Sequence, residues 1–101
     1  MQFDQVSVGK KANVYFDGKC VSHTVTLADG TRKSVGVILP STLRFDLTTK
    51  EVMEVVDGTA YVSINGEAEK SFSVGQSWTV EAGAYFVIRA DQPVHYVCHF
   101  G

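Results

Sequence analysis

The chain has 101 residues, 45% of them hydrophobic, with nine Lys plus Arg against eleven Asp plus Glu and a formal net charge of −2. That length holds one core and no second domain, so residues 1–101 are read as a single unit that needs neither disulfide nor metal to fold. The two signs of charge are interspersed, which excludes the basic footprint of a nucleic-acid or membrane-surface binder.

In chain order, residues 1–12 carry scattered apolar positions without a period and are expected to form an arm that pairs with a sheet edge. No basic start precedes an apolar run, and no stretch reaches the roughly 20 apolar residues of a membrane span, so a cytoplasmic protein is expected. Residues 13–19 hold two aromatics ahead of Asp17-Gly18. Residues 20–27 then alternate as a strand ended by Asp29-Gly30, and their return strand, 34–39, is stopped by Pro40. A further strand covers 43–47. Val52, Val55, Val56, Val62 and Ile64 are β-branched, and Asp57-Gly58 and Asn65-Gly66 reach positive φ cheaply, so residues 51–66 are predicted to be a central hairpin.

Residues 70–74 and 77–80 alternate, 85–88 is a continuous apolar strand, and 94–100 closes the chain. No segment keeps helical spacing over two turns. Short strands at regular intervals predict an all-β fold, and a single jelly-roll β-barrel or sandwich is preferred to an immunoglobulin-like one. Exposed sheet edges and the apolar strands 85–88 and 94–100 predict a homodimer. Cys20 and Cys98 lie far apart and read as buried free thiols.

Glu51 followed by six residues and Gly58 resembles the end of the first cupin motif, in which the Glu ligates a metal. The two His that should precede it are absent: Phe45 and Leu47, or Arg44 and Asp46, stand there. Gly75, five residues and Glu81-Ala82-Gly83 resemble the second motif, but Phe86 occupies its His position. Only Glu51 survives of the four donors, which disfavours a metal site of this kind. His95 and His99, four apart and so on one face of a strand, leave open an independent site with Glu51. His23 carries no such pattern.

The ordered set Asn13-x-Tyr15-Phe16-x-Gly18-Lys19, Arg32-x-Ser34-x-Gly36-Val37, Phe45, Glu51-x-Met53, Gly58 and Tyr96-x-Cys98 spans nearly the whole chain. It resembles the small single-domain cupins of the pyrimidine/purine nucleoside phosphorylase family. The resemblance implies a homodimeric cytoplasmic enzyme that converts ribonucleosides and phosphate to free base and ribose 1-phosphate, tolerating many bases.

Such chemistry needs an anion site, a grip on the ribose and stabilisation of an oxocarbenium-like transition state, with phosphate itself as the nucleophile. Inorganic phosphate is then a co-substrate and no cofactor or metal is called for. Arg32 and Ser34 share a strand face and form a candidate phosphate clamp. Glu51 is the candidate partner of the ribose hydroxyls at the barrel mouth. Tyr15, Phe16, Phe45 and Phe86 offer flat faces on which a base could stack. Arg44, beside Phe45 at a vacated ligand position, is assigned to substrate binding. Two alternatives stay open: a non-catalytic cupin that binds a sugar or nucleoside, and a metal-dependent cupin enzyme using His95, His99 and Glu51.

Overall fold

The structure, a computed structural model, describes residues 2–100. Its strands are β1 (Ser7–Val8), β2 (Asn13–Tyr15), β3 (Cys20–Thr26), β4 (Arg32–Ile38), β5 (Ser41–Asp46), β6 (Glu51–Asp57), β7 (Ala60–Ile64), β8 (Lys70–Phe72), β9 (Ser77–Val80), β10 (Tyr85–Ala90) and β11 (Val94–Phe100). A single 3-10 turn, Phe16–Gly18, separates β2 from β3. No helix of the described residues is long and apolar enough to cross a membrane.

The larger sheet runs β1-β3-β4-β11-β6-β9, with β2 also on β3, and the smaller runs β5-β10-β7-β8. Every pairing is antiparallel. The two sheets face each other as a jelly-roll of cupin type, because alternation gives each strand one apolar side. In β10, Phe86, Ile88 and Ala90 point inward and are buried; from the facing sheet, Met53, Val55, Ile38, Val80 and Val94 meet them.

The predicted hairpin of residues 20–27 and 34–39 is present as β3 and β4, paired from Cys20 with Ile38 to Thr26 with Arg32. The predicted central hairpin of residues 51–66 is not. β6 pairs with β11 and β9, whereas β7 pairs with β10 and β8, so these neighbours in sequence lie in opposite sheets. Asp57-Gly58 is a corner between the sheets: Gly58 sits at φ 86, and a Cβ there would fall 2.5 Å from the Pro93 carbonyl oxygen. A side chain would therefore block the crossing. Asn65 and Gly66, at φ 51 and 78, do make a tight turn, closed by the Glu67 amide on the Ile64 carbonyl at 2.9 Å. That turn leads to β8.

The N-terminal arm pairs with a sheet edge as expected, Ser7 with Thr26 and Val8 with Val25. The apolar surface expected at strands 85–88 and 94–100 is mostly turned inward: Phe86, Ile88, Val94, Tyr96 and Cys98 are buried. The outward apolar surface lies instead on the far side of the larger sheet, where Val21, Val35, Val37 and Val56 are half-buried beside Phe3 and Val8 of the arm.

Candidate active site

One end of the sandwich is not filled by side chains. A cavity of about 430 Å³ opens there between the sheets, within the size range of small-molecule sites. Its two walls differ in chemistry.

The larger sheet contributes a polar wall. Inward positions of four adjacent strands place Ser22 (β3), Ser34 (β4), Tyr96 and Cys98 (β11) and Glu51 (β6) around it. The ladder register fixes this order, with Cys98 opposite Ser34 on one side and Met53 on the other, and Phe100 opposite Glu51. The Cys98 thiol donates to Oε1 of Glu51 at 3.3 Å. Deeper in, the Tyr96 hydroxyl lies 3.4 Å from Cys20 Sγ, and Asn13 donates to Ser22 Oγ at 3.3 Å. Tyr96 lies over Gly36, where a Cβ would come within 2.9 Å of its hydroxyl and 2.6 Å of the Val21 carbonyl oxygen.

Burial pushes the Glu51 carboxyl above the usual carboxylate range, partly opposed by the thiol that donates to it. Burial, with the neighbouring Glu51 charge, pushes the Cys98 thiol up strongly, and burial does the same to Tyr96. Both stay protonated at neutral pH. Cys98 is therefore a hydrogen-bond donor rather than a nucleophile.

The opposite wall is aromatic. Phe45 (β5) stacks on Phe86 (β10) at 5.1 Å between ring centroids, and Phe16 meets Phe45 edge-on at 5.2 Å. Phe86 backs onto Trp78 at 5.8 Å, which anchors the wall in the core. Phe16 reaches its place through a left-handed backbone, with φ 53 at both Phe16 and Asp17 before Gly18 at φ 91. Two non-glycine residues in that region are strained, each by about 1–2 kcal/mol, and such strain concentrates at functional sites.

The expected residues are distributed as follows. Glu51, Ser34, Phe45, Phe86, Tyr15 and Arg44 all border the cavity. Arg44 points outward, bound to Asp46 at 3.0 Å and stacked 4.0 Å over the Tyr85 ring. Arg32 lies on the Ser34 face of β4 but at its exposed first residue, outside the cavity lining, and forms no ion pair among the described residues. Ser22, Tyr96 and Cys98 had no assigned role, although the alternation of β3 and β11 puts each on the same face as a buried neighbour.

His95 and His99 share a face as expected, but it is the outer face. His99 binds Glu54 at 2.9 Å, while Glu51 turns into the cavity on the opposite side of the same sheet. The donor set His95, His99 and Glu51 cannot converge. Among the described residues no group of three or more His, Cys, Asp or Glu could hold a metal ion. A larger groove of about 750 Å³ lies on that outer face beneath the arm. Valines make up half of its lining, and of its polar groups His99 is bound to Glu54 and His23 to the Gly9 carbonyl; the inner cavity, with a polar wall facing an aromatic one, is the better candidate.

A family profile described as pyrimidine/purine nucleoside phosphorylase matches residues 10–100. The chain belongs to this family. A pyrimidine/purine nucleoside phosphorylase of Dechloromonas aromatica is 60% identical over 101 residues, covering 99% of this chain and 98% of its own. One from Thiobacillus denitrificans is 62% identical over 102 residues, with 99% and 98% covered. Among solved structures, a protein of unknown function from Acinetobacter sp. ADP1 superposes with a TM-score of 0.96 at 44% identity, covering 99% of this chain and 98% of that one. An RmlC-like cupin from Shewanella frigidimarina, at 14% identity and TM-score 0.72 over 98% and 86%, shares the fold. The chain is thus an enzyme of the pyrimidine/purine nucleoside phosphorylase family on a cupin scaffold. Tyr15, Phe16, Ser34, Phe45, Glu51 and Cys98, which carry the resemblance in sequence, meet at the cavity.

Proposed function

We propose that this protein catalyses the phosphorolysis of purine and pyrimidine ribonucleosides to free base and ribose 1-phosphate, without a metal, as a cytoplasmic homodimer. The observation that carries the reading is the contrast of the cavity walls. Ribose hydroxyls match the wall of Ser34, Glu51 and Cys98; a flat base matches the wall of Phe16, Phe45 and Phe86. Stacking accepts any base, and discrimination would need hydrogen-bond partners that the aromatic wall does not offer.

In the reaction a phosphate oxygen forms a bond to C1′ as the bond from C1′ to the base nitrogen breaks, its electron pair leaving with the base. With hydrogen phosphate dianion and a neutral nucleoside, the proton on phosphate ends on the base, and the atoms and charges balance. Positive charge develops on the ribose ring, where the Glu51 carboxylate would stabilise it. Arg32, at the exposed start of β4 and in no ion pair among the described residues, is the cation assigned to phosphate, with Ser34 two residues on along the same face. The outer face, with its half-buried valines and the exposed Phe3 and Val8, is the surface assigned to the second subunit.

The test is chromatographic. Uridine, inosine, adenosine and guanosine are incubated with the protein, with and without phosphate and with chelator. Phosphate-dependent, chelator-resistant release of bases of both classes is expected. Absence of base in phosphate would leave a binding module; release that stops with chelator would reinstate a metal enzyme.

A further inference from the structure

Glu51 is held by one protein donor. Among its described hydrogen bonds the only partner is the Cys98 thiol, at 3.3 Å from Oε1, which leaves Oε2 free toward the cavity. Cys98 is itself held from both sides by its ladder partners, Ser34 on β4 and Met53 on β6, and is only 3% exposed. The thiol lies between Ser34, its ladder neighbour, and Glu51. Its bond to Oε1 holds the carboxylate beside it.

We propose that Cys98 is the positioning residue for Glu51: its thiol donates to Oε1, aims Oε2 at the ribose, and sets the pH above which Glu51 works as a carboxylate. This rests on the phosphorolysis reading for its catalytic consequence, but the coupling of the two groups does not.

Other groups around Glu51 are poorly suited to the task. Tyr96, from the same strand as Cys98, is bound to Cys20. Arg44 and Asp46 of β5 neutralise each other at 3.0 Å and are exposed, and Tyr15 of β2 is exposed at the rim. From β4 the facing residue is Ser34, with the Arg32 cation on the same face at the exposed start of the strand, outside the cavity lining, and Lys33 on the other face; from β9 and β10 come Val80 and Phe86, which do not titrate. Glu54 and His99 form their own pair on the outer face. The thiol is thus the nearest group able to stabilise the ionised carboxylate. It stays protonated because burial and the Glu51 charge both push it up.

Removing a donor to a carboxylate raises its pKa, while replacing that donor with another restores it. The test titrates the Glu51 side-chain carboxyl by carbon-detected NMR, assigned with Glu51→Gln, in wild type, Cys98→Val and Cys98→Ser. Cys98→Val should move the midpoint up by about 0.5–1 pH unit; Cys98→Ser should stay much closer to wild type. The acid limb of kcat/KM for phosphate-dependent base release should move in step, with KM for nucleoside rising more than kcat falls. Should Cys98→Val fail to fold, Cys98→Ala carries the same comparison. An unmoved midpoint in the donorless variant, or equal shifts in the valine and serine variants, would overturn the proposal and leave Cys98 a packing residue. If wild type releases no base while the titration behaves as expected, the phosphorolysis reading fails and the coupling stands.

Discussion

Strands β3, β4, β6 and β11 show different chemistry on their two sides. Toward the cavity they present Ser22, Ser34, Glu51, Tyr96 and Cys98; away from it Val21, Val35, Val37 and Val56 surround His95 and His99. A sheet that served stability alone would have these sides reversed, since polar groups withdrawn from water and apolar groups left near it both cost free energy. The inner inversion is confined to the open end, for deeper in the same strands bury Ile38, Val55 and Val94. Polar groups held there can bond a polar ligand, as the proposed ribose would be. Valines on the outer side need a cover, of which the arm supplies part.

The comparison is broken most sharply at Glu51. Glu51→Gln keeps the shape and removes the charge, and kcat/KM for base release should fall about 100–1,000-fold, as for the loss of one transition-state-stabilising group. Stability should move the other way. Because burial raises the Glu51 pKa in the folded state, the folded chain holds its proton to higher pH than the unfolded chain. The stabilisation from that proton is complete below the unfolded value and is lost as pH rises through the folded one. Glu51→Gln has no such loss, so its Tm relative to wild type should increase with pH over that window. A variant that was less stable than wild type at every pH would show Glu51 to be a structural anchor.

The next effect is on packing beneath the polar wall. Gly36→Ala would drive a Cβ against the Val21 carbonyl and the Tyr96 hydroxyl, costing about 1–3 kcal/mol as overpacking does. Denaturant titration should show it as a lower midpoint at unchanged slope. Smaller again is Arg32→Ala, which should raise KM for phosphate about tenfold, the loss of one charge-assisted contact, with little change in KM for nucleoside. Arg44→Ala should do less, since Arg44 is already tied to Asp46 and Tyr85. Steady-state kinetics with phosphate varied separates the two. Smallest for catalysis is Val37→Lys on the outer face: light scattering should show a shift from dimer to monomer, with activity per site within about twofold.

Much of the scaffold was readable in the sequence. Alternation in residues 20–27 and 94–100 marked strands, and the Asn65-Gly66 turn and the edge-pairing arm were found where expected. The pairing of β6 was not readable, because Asp57-Gly58 specifies a change of direction and not the sheet that the next strand joins. Phe45 and Phe86 were legible as cavity-lining residues through vacated motif positions, and Glu51 through the one that is retained. Tyr96 and Cys98 were harder, since alternation says that two residues share a face without saying which face looks into the cavity. His95 and His99 show the same limit: their shared face was foreseen, its outward direction was not.

The most direct measurement is a crystal structure with ribose 1-phosphate bound. The ribose hydroxyls should lie within hydrogen-bond distance of Glu51 and Ser34, the ring should cover Phe45 or Phe86, and the phosphate should sit at the mouth toward Arg32. A sugar phosphate bound in the outer groove, among the valines under the arm, with the inner cavity holding only water, would contradict the assignment of the active site.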